Sequence, residues 1–324
     1  GATGSNLMAA GMSRGVCPEV WVQEHPDVMR KLQEEYVAAG SRILLAPTFG
    51  ANRERLKGYH REGEIVRLNT DNVQLSRQAA AGKALVAGDI SMSGVMIYPD
   101  DDESFEEAME VYREQAQILA DAGVDLFAVE TMISLDDARA AIRAIREVSG
   151  LPILATMSFE PNGRTLYGET PEMAAEELSK EDIDAVGINC SAGPASIFPF
   201  VQAMKEATDL PIIAKPNAGL PQTGADGSVT YDMNEEEFVF HMMKLVEAGV
   251  SIVGGFCGFM IFRFVVKGKY NEMIGAAKKE AEVIKEKKLL EVKEKFLNKK
   301  AELEKEVQQR NQHIQQSENR LKQR

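Results

Sequence analysis

The chain has 324 residues, 44% of them hydrophobic, and a formal net charge of -13, which leaves room for one large barrel or two domains. Three cysteines are too few for a disulfide scaffold, and the odd count suits a reducing compartment, so a cytoplasmic location is expected. Residues 267–324 hold 16 Lys and Arg against 10 Asp and Glu, while residues 1–266 hold 21 against 40. That contrast predicts two units, and it argues against nucleic acid as the main partner of the acidic first one.

In chain order, residues 1–5 (Gly-Ala-Thr-Gly-Ser) read as a loop of the kind that follows a strand. From Glu24 to Gly254 one pattern then recurs: an amphipathic helical stretch closes on a glycine or short polar turn, and a short β-branched apolar run follows. The runs are Arg42 to Pro47, Ala84 to Asp89, Val124 to Glu130, Pro152 to Met157, Ile183 to Asn189, Pro211 to Pro216 and Val250 to Gly255. Strict alternation of helix and strand implies a parallel sheet, either closed or doubly wound. Seven strands plus one missing before residue 1 favour a (β/α)8 TIM barrel that lacks its first strand. Ala248 to Phe262 is a stretch of fifteen uncharged residues. As a helix it reaches only about 22 Å, short of the roughly 30 Å hydrocarbon core.

Beyond Gly275 there is neither Gly nor Pro, and Lys, Glu, Gln, Leu and Ala dominate. Leu289, Phe296 and Leu303 repeat every seven residues, as do Val307, Ile314 and Leu321 after a shift of four. This heptad seam, interrupted by Arg310 and Ser317, predicts a long helix with coiled-coil tendency and self-association through residues 276–324. A solvated single helix is the plainer alternative.

Cys190 and Cys257 each follow a short apolar run, in Gly-Ile-Asn-Cys and Gly-Gly-Phe-Cys. In a barrel those positions lie at the carboxyl ends of strands, on the reaction face. A thiolate pair there is a candidate metal site, and the plain alternative is two small buried hydrophobes. Glu130 ends the third run, where a carboxylate binds an ammonium group or makes an ordinary ion pair. Asn217, in Lys-Pro-Asn-Ala-Gly, lines the same mouth or forms a turn. The four histidines have no partner at metal-ligand spacing, and no glycine cluster has the spacing of a nucleotide loop.

Taken together, residues 1–258 resemble the homocysteine S-methyltransferase family, on the cobalamin-dependent side rather than the betaine side. The matching stretches are Gly1-Ala-Thr-Gly4, Ala46-Pro-Thr-Phe-Gly-Ala-Asn52, Gly88-Asp-Ile90, Phe127-Ala-Val-Glu-Thr131, Gly163-Arg-Thr-Leu-Tyr-Gly168, Gly187-Ile-Asn-Cys-Ser191, Lys215-Pro-Asn-Ala-Gly219 and Gly254-Gly-Phe-Cys-Gly258. Residues 259–324 resemble the amino-terminal anchor and coiled coil of ribonuclease Y. The resemblance implies a fusion of a truncated barrel, without its native last helix, to a foreign tail.

The first resemblance implies zinc-dependent methyl transfer to homocysteine, giving methionine. It implies Cys190 and Cys257 as zinc ligands, Glu130 as holder of the substrate ammonium, the turn containing Ala2 and Thr3 as receiver of its carboxylate, and Asn217 as a pocket residue. The methyl donor stays open between methylcobalamin, presented by a corrinoid protein, and another donor. The family holds zinc with three cysteines, and Phe256 stands where the middle one is expected, so impaired transfer follows; Cys17 is not expected to replace it. Two rival readings remain: a catalytically inactive fusion that self-associates through its tail, and a membrane-tethered protein anchored by Val250 to Val266.

Overall fold

The computed structural model describes residues 3–219, 221–223, 229–231 and 233–254. The chain divides into two units, Gly1–Arg263 and Phe264–Arg324, and every described residue belongs to the first. The expected coiled coil, Phe256, Cys257 and Ala2 lie outside the described residues.

Three helices lead in: α1 (Thr3–Ala9), α2 (Pro18–Glu24) and α3 (Pro26–Ala38). Pro18 and Pro26 occupy helix starts, where a missing N–H leaves no bond unmade. Leu7 of α1 packs with Trp21 and Val22 of α2, Met29 and Leu32 of α3, and Leu75. That burial corrects the expected opening loop: Thr3, Gly4 and Ser5 form the first turn of α1.

The alternating part runs β1 (Ile43–Leu45), α4 (Arg53–Lys57), α5 (Ile65–Ala80), β2 (Leu85–Ile90), α6 (Asp102–Asp121), β3 (Leu126–Met132) and α7 (Leu135–Val148). It continues through β4 (Ile153–Met157), α8 (Pro171–Leu178), β5 (Ala185–Asn189), α9 (Pro194–Ala207) and β6 (Ile212–Lys215). A two-stranded antiparallel hairpin, β7 (Pro221–Thr223) and β8 (Val229–Tyr231), precedes α10 (Glu235–Glu247) and β9 (Ile252–Val253). Each of the seven predicted apolar runs overlaps a strand, with β2 and β3 extending one and two residues past theirs. The hairpin has no counterpart among them, because its strands are too short to show a period.

β1 to β6 and β9 form one parallel sheet in the order β1-β2-β3-β4-β5-β6-β9. Each strand pairs with the next in the chain, apart from the hairpin excursion. A doubly wound sheet reverses its order at a switch point, so this is a barrel-type progression, and the described sheet is curled with β1 and β9 as its edges.

Side-chain parity assigns its two faces. Val86, Phe127, Val129, Ile153, Ala155, Val186, Ile188, Ile212 and Ala214 join the helix residues Tyr112, Leu119, Ile142 and Ile145 in the main core. The opposite parity, Ala87, Leu126 and Ala128 with Ile43, Leu45 and Leu154, forms a smaller cluster on the concave face.

Candidate active site at the strand ends

The apolar lining of the concave face gives way to polar side chains at the carboxyl ends. The last concave-facing positions of β2 to β6 are Asp89, Glu130, Thr156, Asn189 and Lys215, each at even spacing from the apolar residues beneath it. Lys215 Nζ donates to Glu130 Oε2, joining β6 to β3 across the mouth, and both side chains are largely withdrawn from solvent. Burial works against the Lys215 charge, but Glu130 and then Asp89 outweigh it and hold the ammonium above its usual range. Burial first and Glu130 second push the Asp89 carboxyl well up.

Cys190 sits one residue past β5 and is exposed. Its backbone is left-handed, with φ of 54°, which turns the chain sharply off the strand. Asn189 holds that turn against a second strained point, Thr131, whose φ of 62° is unusual for a β-branched residue. Asn189 Oδ1 accepts from Thr131 N at 2.8 Å and from Thr156 Oγ1 at 2.9 Å. Asn189 Nδ2 donates to Thr131 Oγ1 at 2.7 Å and to Cys190 Sγ at 3.4 Å. One buried amide thus fixes the ends of β3, β4 and β5, and the pairing of β3 with β4 shifts between Val129 and Met132 beside it. Desolvation, then Glu130, raise the Cys190 thiol. Asn217 closes the rim from β6, its Nδ2 donating to Cys190 O at 3.2 Å and its backbone N–H to Ala192 O at 3.0 Å.

The loop after β1 is scaffold for this mouth. Thr48 Oγ1 donates to Asp89 O at 2.9 Å and accepts from Asp89 N at 3.1 Å, locking the end of β1 to β2. Gly50 N donates to the buried Glu19 at 2.7 Å, and Asn52 Oδ1 caps α4 by accepting from Arg55 N at 2.9 Å. Buried amides finish the brace: Asn72 Nδ2 donates to Pro47 O and Gln115 Nε2 to Thr48 O. The Ala46-to-Asn52 motif is therefore explained by loop geometry.

Of the predicted site residues, the structure brings Cys190, Glu130 and Asn217 to one rim. Thr3 begins α1. Cys17 is buried among Val20, Leu56, Ile65 and Leu68, its Sγ donating to Glu19 Oε2 at 3.2 Å. Sequence reasoning did not assign Asp89, Thr156, Asn189 or Lys215 a place in the site. Strand parity carried the signal: two residues beyond the inward Ala87 and Ala128 stand Asp89 and Glu130.

The sequence model of the family described as Homocysteine S-methyltransferase matches residues 1–261. The chain belongs to the homocysteine S-methyltransferase family. It is 28% identical to methionine synthase of Mycobacterium tuberculosis and of Mycobacterium leprae over 276 residues, covering 80% of this chain and 23% of each relative. It thus spans about a quarter of the length of those relatives. The fold is similar to the homocysteine methyltransferase MmuM from Escherichia coli in its metallated form, with a TM-score of 0.63 at 20% identity, covering 78% of this chain and 88% of that one. A second family, described as RNase Y N-terminal region, matches residues 248–324, overlapping the methyltransferase match at 248–261.

The described residues do not by themselves complete a zinc site. Among the described residues no three of His, Cys, Asp and Glu group together as metal ligands. The second sulfur that the resemblance implies, Cys257, lies beyond them in sequence, and its neighbour Phe256 has no lone pair to offer. Two thiolates fall short of the three protein ligands of an open zinc site. No described helix is long and apolar enough to cross a membrane.

Proposed function

We propose that this chain binds homocysteine at the carboxyl ends of β3, β5 and β6 and is built for methyl transfer to its thiol, with that transfer impaired by an incomplete metal-ligand set. The observation that carries the reading is the Glu130–Lys215 pair beside Cys190. It places the Glu130 carboxylate within the mouth and near a sulfur at a strand end. Glu130 would take the substrate ammonium, with the residues around Ala2 and Thr3 receiving the carboxylate. Asn217 and Asn189 hold the Cys190 turn in place while the thiol is presented. The methyl donor is a methylcobalamin-type corrinoid carrier or a smaller methyl compound.

Zinc in this family would keep a thiol deprotonated and nucleophilic. The test is therefore metal content: purified protein is expected to hold well under one zinc per chain, and Phe256→Cys to raise it towards one. Equal zinc in the two forms would overturn the assignment of Cys190 and Cys257 as ligands. The match of residues 248–324 to the RNase Y region favours a second reading, a catalytically silent fusion working through its tail. Homocysteine binding without any methionine formation, even in Phe256→Cys, would select it.

A further inference from the structure

We infer that the free edge of β1 is a docking site for an extended apolar peptide segment, which adds to the sheet as a further strand. This interaction is independent of the methyl-transfer reading. Among the described residues β1 pairs on one side only, with β2. Arg42 O accepts from Leu85 N at 2.9 Å and Ala46 N donates to Ala87 O at 2.9 Å, so the even-numbered residues serve β2. By the alternation of a ladder, Ile43 and Leu45 turn their N–H and C=O groups to the free edge. Native edges are commonly blunted by a charge, a proline or a bulge. Ile43-Leu44-Leu45 carries neither charge nor proline, and its pairing with β2 runs without a register shift.

Gln33 of α3 reaches this edge. It is 3% exposed, and its Nε2 donates to Leu45 O at 2.9 Å. Its Oε1 is a buried acceptor without a hydrogen bond. A buried acceptor left without a donor is costly, and beside a strand edge the group that answers it is the N–H of another backbone. Gln33 thus holds Leu45 with one end of its amide and offers the other. The side chains set the chemistry of the partner. On the concave face Leu85, in register with Ile43, is 51% exposed, whereas Leu126 on the next strand is 4% exposed. Ile43 and Leu45 are themselves only partly buried, as are Tyr36 and Val37 of α3 on the convex side. A strand covered on both faces is an almost continuous apolar run. Such a segment brings N–H groups to the edge and hydrophobic side chains to either face.

The experiment uses the full chain and a lysine-flanked peptide with a run of about six alternating valine and isoleucine residues, the length of an ordinary strand. Binding is expected to slow hydrogen exchange of the Ile43 and Leu45 amides by about tenfold or more. An analogue N-methylated throughout keeps the apolar side chains but has no backbone donors, and it is expected to give no slowing. Gln33→Leu keeps the bulk and removes the open acceptor, so it is expected to weaken peptide binding about fivefold, the scale of one neutral hydrogen bond. Exchange that the peptide leaves unchanged, or that is already slow without it, would overturn the inference. Equal binding of the N-methylated analogue would also overturn it, because the contact would then be apolar adhesion rather than strand addition. Slowing that grows with protein concentration in the absence of peptide would overturn the occupant and put a second copy of this chain in its place. Unchanged peptide affinity in Gln33→Leu, with a lowered melting temperature, would reduce Gln33 to a structural prop and overturn its part in docking. Should Gln33→Leu not fold, the exchange and N-methylation comparisons decide on the unmodified chain.

Discussion

Cys17 and Cys190 show how one residue type acquires two chemistries. Cys190 ends a strand and meets solvent, whereas Cys17 is 5% exposed and donates to a carboxylate. Burial, then the Glu19 charge, push the Cys17 thiol up to about 12. The sign follows from linkage: an unfolded thiol loses its proton near pH 8.5, and the folded one holds it. This residue's contribution is complete below that pH and is lost as pH rises towards 12, by about 1.4 kcal/mol per unit. Thermal melting between pH 8 and pH 10 is expected to fall less steeply in Cys17→Ala than in the unmodified chain. Parallel declines would show that the thiol titrates normally. Nothing in the sequence around Cys17 separates it from a rim cysteine, since only the packing of Leu56, Ile65 and Leu68 withdraws it from water.

At the scale of elements, a side chain reinforces the ladder bonds at the ends of β3 and β5. Thr131 and Cys190 both take left-handed backbone, which costs of order 1–3 kcal/mol each and persists only when the surroundings enforce it. Asn189 enforces both. Asn189→Ala strands Thr131 N and Thr156 Oγ1 without their acceptor, so a loss of about 3 kcal/mol in denaturant unfolding is expected. Alkylation of Cys190 is expected to change rate as its turn relaxes. A variant with unaltered stability would mean that water replaces the amide without cost.

The strands themselves were legible from their apolar runs, and glycine marked the helix ends, as at Gly40 and Gly123 with φ of 105° and 84°. The clamp was not. It joins residues 58 positions apart, and no local pattern encodes such a pairing. The loop after β4 exposes Leu166 and Tyr167, and the loop after β2 exposes Met96 and Tyr98. These apolar side chains flank strand ends that hold the polar mouth.

On the scale of the whole molecule, an acidic α/β unit is followed by a basic, heptad-bearing segment that matches a different family. The seam of Leu289, Phe296 and Leu303 predicts self-association of the full chain. Sedimentation is expected to show a mass that rises with concentration, and Leu303→Glu to abolish the rise by placing a charge in the seam. A unmodified chain that stays monomeric at every concentration would remove that expectation.

The sequence alone determined the alternation of helix and strand, the parallel sheet, the family, and the thiol and carboxylate at two strand ends. All of these rest on periods of two and 3.6 residues or on short contiguous motifs, and such information is local. Only the tertiary structure decided which polar groups meet. The curl of the sheet brings Lys215 of β6 onto Glu130 of β3 and leaves one oxygen of Asp89 without a bond. Contacts of that kind depend on how far the sheet bends between its strands, a quantity set by the packing of every helix behind it.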